Sequence, residues 1–441
     1  MKNIVNEKMK IDSMKYVTKK MNLAIMEDPE YFYVPLSQHI GQISSEIVKK
    51  GDYVKQYQKI GEIQGNVSAA VHSPISGVVE EIIENPVVNG NKVKTVKIRN
   101  DFKYNSENME KRAMESLSEY TKREILDVIK ESGIVGEGGA QFPTYVKYDI
   151  GDKVVDTFIL NGSECEPYLT ADYTIMNEWT EQFFDGIKIV EKLLNPKKTV
   201  IGIEEENREL VERFSEVSRK KNMTNIEICV LPTAYPQGSE LQLIKTITGK
   251  EIKKGNLPVN YGVVVSNVGT VKSVYDAFIE GKPLIERVVT ISGEKTEEKG
   301  NYLIKTGTPL GHIIEKINPE KDAKIIFGGP MMGEEVKDMN VPVIKGTSGI
   351  LFLSGNIDNI ERNNCISCGY CVDACPMGLM PMKFEEIYRK GKYKKLVKLN
   401  LDMCIECGAC EYSCPSRVPL IKSIKEGKGM LREMRAKGGI K

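Results

Sequence analysis

Eight of the ten cysteines fall between Cys365 and Cys414, and their spacing constrains the fold more than any other feature. Cys365, Cys368, Cys371 and Cys375 read C-x2-C-x2-C-x3-C and precede Pro376; Cys404, Cys407, Cys410 and Cys414 repeat the pattern before Pro415. Three thiolates at this spacing wrap a tight loop round one face of a four-iron cubane, and the fourth ligates the neighbouring cluster in two-cluster ferredoxin arrangements. The expected sets are Cys365, Cys368, Cys371 with Cys414, and Cys404, Cys407, Cys410 with Cys375. Structural zinc sites use paired C-x2-C knuckles without the third cysteine. The intervening MKFEEIYRKGKYKKLVKLNLD predicts a helix and turn joining two pseudo-equivalent halves. Residues 355–425 thus read as an α-helical ferredoxin domain holding two [4Fe–4S] clusters, close enough for electron hopping.

The chain has 441 residues, too many for one hydrophobic core, so several domains are expected. Lys and Arg total 62 against 61 Asp and Glu, a net charge of +1, which offers no electrostatic reason for nucleic acid or an anionic membrane as main partner. Basic and aromatic residues are not interleaved either, so there is no nucleic-acid signal. No run approaches ~18 consecutive apolar residues, and the first twenty residues have charges but no apolar h-region. Clustered cysteines without a signal peptide favour metal ligation in a reducing compartment. A cytoplasmic location is expected, with peripheral association on the cytoplasmic face of the inner membrane as the alternative.

From Ser118 to Glu286 helical and strand patterns alternate. Apolar runs at Thr157–Leu160, Val200–Ile203, Ile226–Leu231 and Val263–Val265 predict buried strands, and amphipathic stretches at Asn177–Leu194 and Asn207–Lys220 predict helices between them. The result is an α/β sheet of mainly parallel strands, which binds ligands at strand carboxyl ends beside helix N-termini. Three segments fall there. GIVGEGGAQFPTYVK (133–147) offers backbone amides at Gly136, Gly138 and Gly139 and a charge at Lys147 for a phosphate. NGSECEPYLTADY (161–173) places Asn161, Glu164 and Glu166 at a strand end, and AYPQGSE (234–240) enters a helix that Ser239 could cap. Each alone is also compatible with a turn, a solvated loop or a helix cap.

In order, GxGGAxFPTxxK, NGxExEP, YPxGSE and SNVGT (266–270) resemble the C subunit of the Rnf ferredoxin–NAD oxidoreductase complex, and the nucleotide core is similar to the NADH-binding subunit of respiratory complex I. VPLSQHIG (34–41), GGPMMG (328–333) and the CPMGL and CPSRVPL tails extend the resemblance over nearly the whole chain from about residue 30. The resemblance implies FMN beside an NADH site, with hydride passing to the flavin and single electrons leaving through the clusters. It implies that Gly136, Gly138, Gly139 and Ala140 line the nucleotide, that Phe142 stacks on a ring, and that Lys147 meets the flavin phosphate. Asn161, Glu164 and Glu166 would surround the flavin and nicotinamide ribose, with Tyr235, Gly238, Glu240, Asn267 and Thr270 completing the pocket. Two residues depart from the pattern: Glu137 and Gln141 stand where the family has an apolar and a small residue, and a carboxylate at 137 would repel a phosphate.

The expected organisation is an α/β multidomain chain. An N-terminal arm (1–30) leads to a barrel-sandwich domain (31–105) resembling biotinyl and lipoyl carriers, but no lysine occurs between Lys59 and Lys92 to carry a swinging arm. His39 and His72 in it read as hydrogen-bonded structural residues. A Rossmann-like FMN/NADH domain (115–286), a β-grasp SLBB domain (287–345), the ferredoxin domain and a basic tail (426–441) follow. Met331 and Met332 read as packing residues, Cys165 as a small packed residue, Cys229 as core. The function implied is an NADH-dependent oxidoreductase subunit whose partners are other Rnf-type subunits or a reductase. The alternatives are a soluble relative feeding a substrate reductase such as proline reductase, and a cluster relay that binds no nucleotide.

Overall fold

The computed structural model describes residue 9 and residues 11–355 and 363–439. Most of the first ten residues of the expected arm, the start of the expected cluster domain at 356–362 and the last two residues of the tail lie outside these.

Tyr31–Pro35, Lys92–Asn100, Gly77–Pro86 and Tyr53–Val54 form one antiparallel sheet in that order. A smaller sheet of Ser45–Glu46, Lys59–Glu62 and Val71–His72 packs against it. Alternate residues point inward along a strand, and Phe32, Val34, Ile60, Val71, Val79 and Ile98 fill the space between the sheets. This is the expected barrel-sandwich.

The four apolar runs become the parallel strands Thr157–Gly162, Lys198–Glu204, Ile226–Leu231 and Val263–Asn267. Their spatial order is third, second, first, fourth. The chain therefore winds outward on one side of the first strand and then crosses to the other, leaving a crevice where the carboxyl ends of the first and fourth strands diverge. Phe158, Leu160, Ile201 and Val264 meet the helices Thr180–Leu194, Leu210–Lys220 and Val268–Phe278 on one face; Ile159, Val263 and Val265 meet Glu240–Thr248 on the other. Both faces are covered, as a parallel sheet requires. Phe183, Phe184 and Phe214 knot the first face together with ring centroids 5.5–6.0 Å apart, each worth roughly 1.5–3 kcal/mol of burial. Gly186 allows two of these helices to touch, since a Cβ there would lie 2.3 Å from the Val271 carbonyl oxygen.

Next comes a mixed sheet of Glu286–Ser292, Gly300–Lys305, Ala323–Phe327 and Gly349–Ser354, with the helix Leu310–Ile317 buried against it. It runs beyond the expected boundary at 345 because GILFLS is itself an apolar strand, with Ile350, Leu351 and Phe352 buried. Ala24–Ile25 joins one edge, parallel to Gly300–Lys305, so the arm is partly a strand of this sheet.

The expected helix, Pro381–Arg389, separates the cysteine loops, and a second short helix, Lys394–Lys398, follows its turn. The expected basic tail from residue 426 continues the final helix, Leu420–Ala436, which packs along one side. Leu420, Ile424 and Leu431 are buried against Phe384, Leu396 and Leu401, and Lys425 and Lys428 pair with Glu334 and Glu406. Its basic residues are the solvent side of an amphipathic packing helix. No helix among the described residues is long and apolar enough to cross a membrane.

Candidate functional site

The crevice is built from residues the three loop motifs contain. Asn161 and Asn267 are register partners at the carboxyl ends of the first and fourth strands. Asn267 caps the helix Val268–Phe278, its Oδ1 accepting from the amides of Gly269 (2.8 Å) and Thr270 (3.4 Å), while its amide donates to Asp172 Oδ2 at 2.6 Å. Asn161 Nδ2 donates to the Gly238 carbonyl at 2.8 Å. Gly238 must be glycine, because a Cβ would lie 2.0 Å from the Ser163 carbonyl oxygen. Glu164 receives the amides of Ala171 and Asp172, both at 3.1 Å, at the start of the helix Ala171–Glu178. Burial pushes Glu164 well above the usual carboxylate range, and the neighbouring Asp172 charge pushes it further; Asp172 is raised to about 6, chiefly by burial.

The glycine-rich loop hangs over this crevice. Gly138, Gly139 and Ala140 are exposed, Gly138 lies against Asn267, and a Cβ at Gly139 would meet nothing within 4 Å. Gly136 closes the turn through its amide to the Phe142 carbonyl at 2.8 Å, and Phe142 is half-buried. Glu137 does not face a phosphate. Its carboxylate is buried beside the helix Val268–Phe278, 3.1 Å from Arg287 Nη1 and accepting from Ser273 Oγ at 2.5 Å, while its amide donates to Thr270 Oγ1 at 2.9 Å. Gln141 takes φ +50° and packs its amide against Gly346. The two departures thus serve loop anchoring. Lys147 donates to Glu240 (3.0 Å) and to the Val265 carbonyl (2.9 Å), which joins two expected site residues at the crevice edge. Ser239 begins the helix Glu240–Thr248 without a side-chain cap bond, and its hydroxyl is buried with no partner.

Glu166 and Tyr235 turn towards the cysteine domain instead. Glu166 accepts from the Met331 amide at 3.0 Å, burial raising its pKa to about 7; Tyr235 donates to the Cys407 carbonyl at 2.5 Å. Met331 packs there with Cys165, whereas Met332 is half-exposed, so only one of the pair packs. Burial pushes the Cys165 thiol up to about 12, and Cys229 is half-buried. Gln242 donates to the Pro376 carbonyl at 3.1 Å, a second bridge to the cysteine loops.

Cys375, Cys404, Cys407 and Cys410 line one small cavity with Pro376, Leu379 and Phe384. Around Cys371, whose thiol is raised first by burial, the neighbouring sulfurs are Cys414, Cys365 and Cys368. The chain therefore brings the fourth cysteine of each motif to the three of the other. The two sets differ in exposure: Cys407 and Cys410 are buried, Cys365 and Cys368 exposed.

Sequence reasoning missed several residues. Asp172 lies within a quoted motif; Glu204 ends the second strand, where α/β sheets place functional acids; and Arg287, Lys345 and Lys15 had no local signal. Lys345 is buried at the meeting of three domains, donating to the Ala70 and Gly133 carbonyls at 2.7 Å each. Nearby, His39 bonds Ser44 Oγ at 3.1 Å and is lowered to about 4 by burial, whereas one ring nitrogen of His72 has no partner.

Three family models match in sequence: RnfC barrel sandwich hybrid domain at 6–103, Nuo51 FMN-binding domain at 129–276, and 4Fe-4S dicluster domain at 364–418. The chain is 40% identical over 389 residues to the C subunit of the proton-translocating ferredoxin:NAD(+) oxidoreductase complex of Clostridium ljungdahlii, covering 87% of this chain and 84% of the relative. It is 39% identical to the Na(+)-translocating counterpart of Acetobacterium woodii, covering 96% and 95%, and 38% identical to the C subunit of the ion-translocating oxidoreductase complex of Rhodobacter capsulatus, covering 97% and 83%. In fold it is similar to a chain of the NAD+-reducing [NiFe]-hydrogenase in its H2-reduced state, with a TM-score of 0.51, 16% identity, and 75% and 70% coverage. Identities of 38–40% over 83–95% of each relative, with the RnfC barrel sandwich model on this chain, place it in the RnfC family, the C subunits of the ion-translocating ferredoxin:NAD+ oxidoreductase (Rnf) complexes.

Proposed function

We propose that the chain is an iron–sulfur flavoprotein subunit that passes electrons between NADH and a partner redox protein through FMN and two [4Fe–4S] clusters. The observation that carries this is the bond from Tyr235 to the Cys407 carbonyl, which ties a crevice loop to one set of thiols; Glu166 supports it by holding the Met331 amide, whose side chain packs in the same cluster as Tyr235 and Cys407.

The residues present suit both groups. Exposed amides of Gly138, Gly139 and Ala140, the unpartnered Ser239 hydroxyl at a helix N-terminus and the Lys147 ammonium form a donor set for a phosphate; the two cysteine quartets suit cubanes. When bound, FMN exchanges electron pairs as hydride with NADH and single electrons with the clusters. The chain's part is to hold and orient. Asn161 and Gly238 fix the crevice floor, Asn267 fixes the helix end, Phe142 borders the ring site, and Glu164 with Asp172 places two carboxyl groups of raised pKa beside it. The Cys404 set, next to Tyr235, is the inner relay; the Cys365 set, with two exposed thiols, faces the partner. The nucleotide domain is Rossmann-like in its strand order, and the mixed sheet with its buried helix is the β-grasp SLBB domain. Partners are the other subunits of such a complex, which would hold the chain at a membrane surface on its cytoplasmic face.

Full-length protein, reconstituted anaerobically with iron, sulfide and FMN, should lose first its flavin band and then its cluster band on adding NADH. An unchanged spectrum with NADH and NADPH would refute the proposal. The relay without nucleotide rests on Glu137 and Gln141; the first is paired with Arg287 and the second packs on Gly346.

A further inference from the structure

Lys15 lies in the short turn Lys15–Val17 and is 3% exposed. A buried ammonium is costly unless paired. Lys15 is paired twice, with Glu204 and with Glu206 Oε1 at 2.8 Å. Glu204 ends the second strand of the nucleotide sheet and accepts from Ser163 Oγ at 3.4 Å. Ser163 in turn gives its amide to Asn161 Oδ1 at 3.1 Å, and its carbonyl is the surface on which Gly238 rests. One ammonium is thus linked, through Glu204 and Ser163, to the crevice floor. The same segment touches the site three more times. The Tyr168 amide donates to the Ser13 carbonyl at 2.7 Å, the Tyr235 amide to the Met9 carbonyl at 3.3 Å, and the Thr18 and Thr170 hydroxyls are 2.8 Å apart.

We infer that residues 11–19, with Met9, form a wall of the nucleotide crevice and that Lys15 is its positioning residue, holding Glu204 and the Ser163–Glu166 loop in the arrangement that receives FMN. The inference rests on the flavin assignment above and extends it to a segment outside the Nuo51-type domain. The groups facing Lys15 are Glu204 and Glu206 from the strand end and Glu164 from the loop, so the ammonium also opposes the mutual repulsion of three carboxylates. A plain structural staple would affect folding but not the flavin.

Full-length apoprotein titrated with FMN, read by quenching of flavin fluorescence, separates the two roles. Lys15→Met should weaken FMN binding by about tenfold or more and shift the midpoint potential of the bound flavin, while Lys15→Arg, which keeps the charge, restores both to within about threefold. Equal affinity and potential in folded Lys15→Met would overturn the inference. If Lys15→Met does not fold, Glu204→Gln breaks the link between Lys15 and Ser163, and unchanged FMN affinity in that variant would overturn it equally. Failure of the unchanged chain to bind FMN would instead remove the flavin assignment, and the role of Lys15 with it.

Discussion

Replacing Arg287 by Met would leave the Glu137 carboxylate buried without its counter-ion. The pair is almost wholly enclosed, with side-chain exposures of 1% and 4% and an Nη1–Oε2 distance of 3.1 Å. The same guanidinium nitrogen donates to the carbonyls of Glu137 (3.2 Å) and Lys345 (2.7 Å). Removing one member of a buried pair costs about 3–5 kcal/mol. Protonation limits that cost, because burial already raises the Glu137 pKa and losing Arg287 raises it further. An acid with a raised folded pKa is penalised at high pH and relieved as pH falls through that pKa. Arg287→Met should therefore cost about 3 kcal/mol or more at pH 8 and distinctly less at pH 5. Trp179 is the single tryptophan and lies in the nucleotide domain, beside Lys272 at 4.0 Å, so its fluorescence in urea reports the unfolding of that unit. A double-mutant cycle with Glu137→Gln should give a coupling of about 1.5 kcal/mol or more. Additive losses, or a pH-independent loss below about 1 kcal/mol, would refute the reasoning. Glu137→Gln should also change FMN affinity by less than about threefold, whereas tightening beyond about tenfold would mean that the carboxylate faces the phosphate after all.

Cys414→Ala should remove the cluster nucleated by Cys365, Cys368 and Cys371 and spare the other, read by iron content and low-temperature EPR; loss of the Cys404 set alone would contradict the crossed ligation. Gly238→Ala forces a Cβ to 2.0 Å from the Ser163 carbonyl, so FMN binding should fall by about tenfold or more, with strain of about 1–3 kcal/mol visible in the thermal midpoint. Burial holds Lys345 at about 7 instead of 10.5. The unfolded chain then binds more protons between these values, so stability rises with pH across that window. Lys345→Met should flatten the rise, and an unchanged pH slope from 7 to 10 would argue against it.

The cysteine spacing and the four strands are legible in the sequence because each follows a local rule: ligand geometry in one case, a short apolar run in the other. The crossed grouping of the cysteines is equally legible, since it follows from the two-cluster motif. Lys147 and Glu240 can be placed at the crevice, but not paired with each other, because the partner lies 93 residues away. Glu137 misleads for the same reason. Its neutralising Arg287 sits on the first strand of the next sheet, and nothing near either residue announces the other. The terminal helix reads as a solvated helix because basic residues recur along it, yet Leu420, Ile424 and Leu431 share its buried stripe. Residues 1–30 carry no motif at all, and Lys15 becomes meaningful only beside Glu204.

The unequal burial of the two thiol sets bears on how such a protein survives handling. Oxygen and chelators reach a cubane through its solvent-facing sulfurs, and only the set containing Cys365 and Cys368 offers two of these. Damage in air should therefore begin at that end and halt, for a time, at a half-loaded species with about four irons, its inner cluster shielded by Phe384, Leu379 and the Tyr235 loop. The opening through which a partner would draw current is the same one through which corrosion would enter.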